Sequence, residues 1–109
     1  MSANSLYIKP GTPPSTNQPI KIEGVVGGTI TVFPTGATSA TGITDASDTI
    51  TCADFENAIV DLFIGGIPIP QIDPGTPDMF FTKGYASTEL NFTNGNLTDG
   101  DLIKIIIYK

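Results

Sequence analysis

The sequence predicts an all-β fold, an antiparallel β-sandwich formed by seven to eight short strands. The composition, with 12 Gly, 9 Pro and only 15% charged residues, is typical of short strands joined by turns rather than of helices. The apolar residues also recur in short runs of period two that are separated by turn signals. Because 109 residues suffice for one hydrophobic core, we expect a single domain, residues 1–109.

The N-terminal segment, residues 1–19, is predicted to be extended. Its prolines between residues 10 and 14 lack the backbone N–H that a central strand must donate. A short apolar run at residues 6–8 predicts a first strand before them.

A hairpin is predicted directly after this segment. Ile22 and Val26 fall on one face of an alternating run, as a half-buried strand requires. Gly27 and Gly28 then separate this run from a second β-type run at residues 29–33. Two such glycines favour a tight turn between antiparallel strands, because these turns need positive φ.

The middle of the chain carries weaker signals. Residues 36–47 are small and polar without periodicity, and they predict a mobile loop with one weak strand around Ile43. Residues 49–52 predict another short strand. A helical turn is predicted at residues 53–57, where nothing extends it to the length of a stable helix.

The C-terminal half predicts the clearest strands. Residues 58–64 form an apolar strand that ends at Gly65 and Gly66, and the prolines of residues 67–70 predict an edge strand. Residues 73–78 predict a turn. Further strands are predicted at residues 79–82, 88–93 and 102–108, with Leu90, Phe92, Ile103, Ile105 and Ile107 facing inward and Leu97 closing the core. This succession favours a sandwich that is immunoglobulin-like or jelly-roll-like.

The charge of the chain excludes some classes of partner. Eleven acidic residues against five lysines, with no Arg or His, give a net charge of −6, which opposes binding to nucleic acid or to an acidic membrane surface. We also find no apolar run long enough to span a membrane and no secretory signal. We therefore expect no nucleic-acid partner, no membrane partner and synthesis in the cytoplasm.

No set of residues identifies a reaction. The absence of His removes the commonest general base and the commonest metal ligand. The single Cys52 is interpreted as a small buried apolar residue. Two acidic pairs, Asp45 with Asp48 and Asp99 with Asp101, supply the type of oxygen ligand that calcium prefers, but the turn preferences of Asp explain them better. We therefore predict no catalytic, cofactor-binding or metal-binding residues, no cofactor and no enzymatic activity.

One surface stands out from this background. If alternate isoleucines of residues 102–108 face the core, then several apolar residues of this strand and of residues 58–64 must face outward. Such a surface predicts an interface. The predicted interface residues are Ile59, Phe63, Leu102, Ile106 and Tyr108. Either a second copy or a neighbouring module covers them, or the chain's own long loops do; a homo-oligomer is the preferred hypothesis.

A resemblance to a known family covers residues 60–108. The apolar strand ending in a glycine turn, the aromatic strand at residues 79–82, the alternating residues 89–92, Leu97, and Gly100-Asp101 before an Ile-rich strand that closes at Tyr108 resemble small β-sandwich modules of bacteriophage tail fibres and related virion appendages. Two features depart from that pattern: Gly65-Gly66 replaces the commoner Asn-Gly, and the proline-rich insertion at residues 68–77 is longer. The resemblance implies a self-associating structural module that is virion-associated after synthesis.

The alternative hypothesis is a glycan-binding module with a calcium-assisted loop. Sugar sites often use exposed aromatic rings as stacking platforms, and this chain has no Trp. Tyr7, Tyr85 and Tyr108 are the tyrosine candidates, although half-buried packing explains each of them as well.

Overall fold

The computed structural model describes residues 18–34 and 36–109. The strand predicted at residues 6–8 and nearly all of the extended segment 1–19 lie outside these residues. Within them, eight antiparallel strands form two sheets that enclose one core. The prediction of an all-β sandwich with seven to eight strands is therefore confirmed.

The larger sheet has five strands and the smaller has three. The strands are β1 (Ile20–Val25), β2 (Ile30–Phe33), β3 (Thr49–Thr51), β4 (Ile59–Ile64), β5 (Ile67–Ile69), β6 (Phe80–Thr82), β7 (Glu89–Thr93) and β8 (Leu102–Tyr108). The five-stranded sheet has the order β2-β1-β8-β4-β5, and the three-stranded sheet has the order β3-β7-β6. The last strand, β8, thus lies at the centre of the larger sheet between β1 and β4.

Glycine turns close two hairpins of the larger sheet. β1 and β2 pair as predicted, and Gly27 adopts a φ of 76° in the turn between them. Gly65 and Gly66, with φ of 60° and 81°, form the two-residue turn between β4 and β5. Positive φ at both central residues matches the twist of the flanking strands and strongly favours Gly.

The core is formed by alternate residues of both sheets. The side chains predicted to face inward on β7 and β8 are all buried, and Leu97 is 2% exposed. Ile22, Leu62 and Ile105 come from the three central strands of the larger sheet and pack in the same cluster. The period-two pattern therefore predicted the inward face of each of these strands correctly.

Residues 36–47 form a loop with one isolated β-bridge, and two contacts anchor it. Ile43 is 6% exposed and belongs to the core. Thr41 forms a β-bridge with Thr51, with N–H···O distances of 2.8 and 3.0 Å in the two directions. The segment is thus anchored at two points, because one buried side chain and one backbone pair hold it against the sandwich. The predicted helical turn is present as a short 3₁₀ turn, Ala53–Phe55.

A buried lysine links the two sheets. Lys83 follows β6, and its ammonium Nζ donates to the carbonyl oxygens of Ala58, Gly84 and Tyr85 at 2.9–3.1 Å. Ala58 immediately precedes β4, so the side chain reaches from the smaller sheet to the larger. Burial lowers the pKa of Lys83 because desolvation disfavours the charged form.

Candidate interaction surface

The surface of interest is the side of the five-stranded sheet that faces away from the core, called the outer face below. The strand registers and the burial pattern place thirteen side chains on it. They are Lys21, Glu23, Val25, Thr31, Phe33, Ile59, Asp61, Phe63, Pro68, Leu102, Lys104, Ile106 and Tyr108.

All five predicted interface residues lie on the outer face. Ile59, Leu102 and Tyr108 are 61%, 63% and 43% exposed, and Phe63 and Ile106 are half-buried. Loops in the described part of the chain therefore leave Ile59, Leu102 and Tyr108 uncovered. Of the two hypotheses for what covers this surface, the chain's own loops or another protein copy or module, the first does not apply at these three residues for the described loops.

Charged residues interrupt the apolar residues in a regular way. Ile106 lies between Lys21 on β1 and Asp61 on β4. In the next row Lys104 lies between Glu23 on β1 and Phe63 on β4. The charges therefore alternate in sign around the centre of the outer face. Opposite charges at neighbouring positions favour one another across strands.

An open groove of about 600 Å³ crosses the outer face. Its lining includes the aromatic rings of Phe33 and Phe63 and the charged side chains of Glu23 and Lys104. The Lys104 Nζ lies 5.1 Å from the centre of the Phe63 ring, within range of a cation–π contact. The groove thus combines flat apolar surfaces with one acidic and one basic group.

Phe33 was missing from the predicted interface, although it is 44% exposed. The signal was available in the alternation of β2, since Ile30 and Val32 pack against the core and Phe33 must face the other way. Among the tyrosine candidates, Tyr85 is 64% exposed, more than half-buried packing would allow, and does not line the groove. Tyr7 lies outside the described residues.

The lysines of the chain are distributed unevenly. Lys83 is buried, and Lys109 forms an ion pair with Asp54 at 3.3 Å. The two remaining lysines of the described residues, Lys21 and Lys104, both lie on the outer face. The strands of this face carry two acidic residues as well, so its formal charge is balanced, whereas the whole chain carries −6.

Two carboxylates of the acidic pairs each accept a hydrogen bond. The carboxylate Oδ1 of Asp45 accepts the backbone N–H of Asp99 at 2.9 Å, and Asp48 accepts the hydroxyl of Thr49 at 3.1 Å. These are turn and loop contacts. Within residues 18–34 and 36–109, no three His, Cys, Asp or Glu side chains are grouped so that they could hold a metal ion.

The thiol of Cys52 lies in the core, as predicted. The residue is 2% exposed and its Sγ contacts the carbonyl of Thr38 at 3.6 Å. Burial is the largest cause that raises the pKa of the Cys52 thiol, which opposes formation of the reactive thiolate.

The opposite surface of the sandwich is different. The outer side of the three-stranded sheet is formed mainly by polar residues: Thr49, Thr51, Thr82, Glu89, Asn91 and Thr93. The hydroxyl of Thr49 donates to the side-chain carbonyl of Asn91 across the strands at 2.9 Å. Phe80 is the aromatic residue on this side, and it is 8% exposed.

Comparison of the chain with protein-family models, with curated proteins and with solved structures finds no match. No helix in the described residues is long and apolar enough to cross a membrane. The fold and the surface define an all-β sandwich with one polar outer side and one outer side that is largely apolar.

Proposed function

We propose that this protein is a non-enzymatic structural module that self-associates through the outer face. The observation that carries the proposal is the exposure of four large apolar side chains, Phe33, Ile59, Leu102 and Tyr108, on one side of one sheet. Apolar surface of this kind usually marks a contact with another protein. The similarity of residues 60–108 to tail-fibre modules supports a role in a virion appendage.

The charge distribution favours a second copy as the partner. Two chains of charge −6 repel each other wherever their acidic surfaces meet. The strands of the outer face hold two lysines and two carboxylates, while nine other acidic residues lie elsewhere. Two copies therefore meet with less repulsion on this face than on surfaces where acidic residues are in excess. A two-fold arrangement also lets a lysine of one copy meet a carboxylate of the other.

Lysine substitutions on the two outer sides test the proposal. Phe63→Lys and Ile106→Lys each place a charge in the proposed contact, and Thr93→Lys places the same charge on the polar side as a matched control. We expect sedimentation velocity at micromolar concentration to show the same oligomer for the wild type and for Thr93→Lys, and a smaller species for the other two variants. Each substitution reduces the net negative charge, so general repulsion cannot explain a loss of association.

The fold of each variant is checked by circular dichroism and thermal melting. A wild-type chain that stays monomeric at these concentrations would overturn the proposal. Unfolding of Phe63→Lys and Ile106→Lys would show instead that these half-buried residues are required for the sandwich itself.

The groove supports glycan binding as a second candidate function. The rings of Phe33 and Phe63 supply apolar surfaces on which the C–H face of a sugar ring can pack. Glu23 and Lys104 supply an acceptor and a donor for sugar hydroxyl groups within the same groove. The volume of about 600 Å³ lies within the range of small-ligand sites.

Binding to a panel of immobilised glycans tests this second candidate. Phe33→Ala should abolish retention, while Tyr85→Ala, which removes an exposed ring outside the groove, should leave it unchanged. Repeating the assay with a calcium chelator tests the calcium-assisted version. Absence of retention of the wild-type chain on every glycan counts against this function.

A further inference from the structure

The sandwich has four sheet edges, and the described residues close three of them. An open edge exposes backbone N–H and C=O groups that can pair with another strand, so proteins usually block it. The edges are formed by β5 and β2 in the larger sheet and by β3 and β6 in the smaller sheet. Each closed edge is blocked in a different way.

A proline blocks the edge at β5. Ile64 and Ile67 flank the two-residue turn, so they form a hydrogen-bonded pair. Pro68, the next residue, is opposite Phe63, and its nitrogen points away from β4. Because Pro has no N–H, β5 presents no outward donor.

Contacts with loops block the two edges of the smaller sheet. At β3, Thr41 takes up both outward backbone groups of Thr51. Thr49 is the other residue of β3 whose backbone groups point outward. The hydroxyl of Ser47 donates to its carbonyl at 2.9 Å and accepts its N–H at 3.4 Å. At β6, the N–H of Phe81 donates to the carbonyl of Pro70 at 3.0 Å.

The edge at β2 remains open in the part of the chain that the structure describes. The N–H of Val25 donates to the carbonyl of Thr29 at 3.1 Å, which fixes the hydrogen-bonding phase of the hairpin. In this phase Thr31 pairs with Glu23 through hydrogen bonds, and the backbone groups of Ile30 and Val32 point away from β1. The strand Ile30–Phe33 contains neither a charged residue nor a proline.

We propose that β2 pairs with β2 of a second copy in antiparallel orientation, centred on Thr31. The free N–H and C=O groups of Ile30 then meet those of Val32 in the other copy, and the reverse pair forms by symmetry. A two-fold axis through the Thr31 pair therefore satisfies all of these outward groups. The uncharged strand lets two copies of an acidic chain approach here without like charges opposite each other.

This edge contact is separate from the outer-face contact of the proposed function. It joins two five-stranded sheets into one sheet of ten strands, so the outer faces of the two copies become continuous. Its two-fold axis is perpendicular to the sheet, whereas the axis of a face-to-face contact lies parallel to it. A chain that uses both contacts therefore forms assemblies larger than a dimer.

A symmetric disulfide tests the edge contact directly. Thr31 and its copy form a non-hydrogen-bonded pair in this register, with a Cα separation of about 4.5 Å, which lies within the range of disulfides. The full-length Thr31→Cys variant is incubated with oxidised glutathione, and the exposed Thr93→Cys variant serves as control. The native Cys52 is 2% exposed and is common to both variants.

We expect a covalent dimer of Thr31→Cys to form at least about tenfold faster than that of Thr93→Cys, because the contact raises the effective concentration of the two thiols. Equal rates would overturn the edge contact.

The same variant in an Ile106→Lys background separates the two contacts. Persistent cross-linking in this background is the expected result, since β2 does not include Ile106. Loss of cross-linking would show that the edge pairs only through the outer face, which contradicts an independent contact. Equal rates for Thr31→Cys and Thr93→Cys with an oligomeric wild type would leave the proposed function standing and remove the edge contact alone.

Discussion

The two outer sides of the sandwich are formed by the same kind of strand but carry opposite surfaces. On the three-stranded sheet most of the outward residues are threonines, and Asn91 and Glu89 are two of the others. On the five-stranded sheet the outward residues include Ile59, Leu102 and Tyr108, all of them exposed. An antiparallel sheet needs only one apolar side to bury a core, so the polar side shows what folding alone requires.

The difference supports the proposal that the apolar outer face contacts another copy, because burial of the core does not require an apolar surface there. Polar side chains of the smaller sheet hydrogen-bond to each other, as Thr49 and Asn91 do, and this outer side is exposed to water. The larger sheet keeps exposed apolar area that water solvates poorly. The residue that breaks the contrast is Phe80, an aromatic residue on the polar side that is nevertheless buried.

Alanine substitution of one aromatic residue on each side should produce the largest difference. Phe80→Ala removes a ring that is 8% exposed, and we expect a loss of about 3–5 kcal/mol in the free energy of unfolding. Phe63→Ala removes a half-buried ring from the outer face and should cost about 1 kcal/mol in the monomer. Urea denaturation at low protein concentration measures both. Equal losses would mean that the two sides are covered to the same extent.

Lys83→Met should produce an intermediate effect. The lysines of the larger sheet point outward, whereas Lys83 beside the smaller sheet donates to three carbonyl oxygens. Methionine keeps much of the side-chain length but donates no hydrogen bond. The carbonyls of Gly84 and Tyr85 also accept the backbone N–H groups of Ser87 and Asn57, so the loss falls mainly on the carbonyl of Ala58 and should cost about 1–3 kcal/mol at neutral pH. A variant as stable as the wild type would show that burying the ammonium group costs as much as its hydrogen bonds contribute.

The pH dependence of the same pair of proteins has a defined sign. Because burial lowers the pKa of Lys83 in the folded state, the unfolded state binds more protons in the window between that lowered pKa and the ordinary value of 10.5. The contribution of Lys83 to stability therefore rises with pH through this window. Urea denaturation at pH 8 to 10.5 should show a rise in the wild type that is smaller in Lys83→Met. An identical slope in both would contradict the assigned burial effect.

Thr93→Val should produce the smallest effect. The residue is exposed on the polar side, so the free energy of unfolding should change by less than about 0.5 kcal/mol. Sedimentation should also remain that of the wild type. If valine at this position promotes association, a single apolar residue on either outer side is sufficient for self-association. The difference between the two outer sides would then not explain where the chain associates.

Period-two alternation was sufficient to predict which residues of β4, β7 and β8 face the core. Successive side chains of a regular strand point to opposite faces of the sheet, so one inward residue determines the direction of the others. It also predicted five of the residues on the outer face, Ile59, Phe63, Leu102, Ile106 and Tyr108, but not Phe33. It missed the role of Lys83, since the carbonyl of Ala58 lies 25 positions earlier in the chain. The anchoring of Ile43 and the blocked edge at β3 were missed for the same reason: they depend on Thr41 meeting Thr51, a contact that no local pattern encodes.

Hydroxyl-radical footprinting across a range of protein concentrations tests the central claim most directly. Tyr108 lies on the outer face and is 43% exposed, and Tyr85 lies elsewhere and is 64% exposed. If the outer face is the site of self-association, labelling of Tyr108 and Phe63 falls as the concentration rises while labelling of Tyr85 stays constant. Unchanged labelling of Tyr108, or an equal fall at Tyr85, would contradict it.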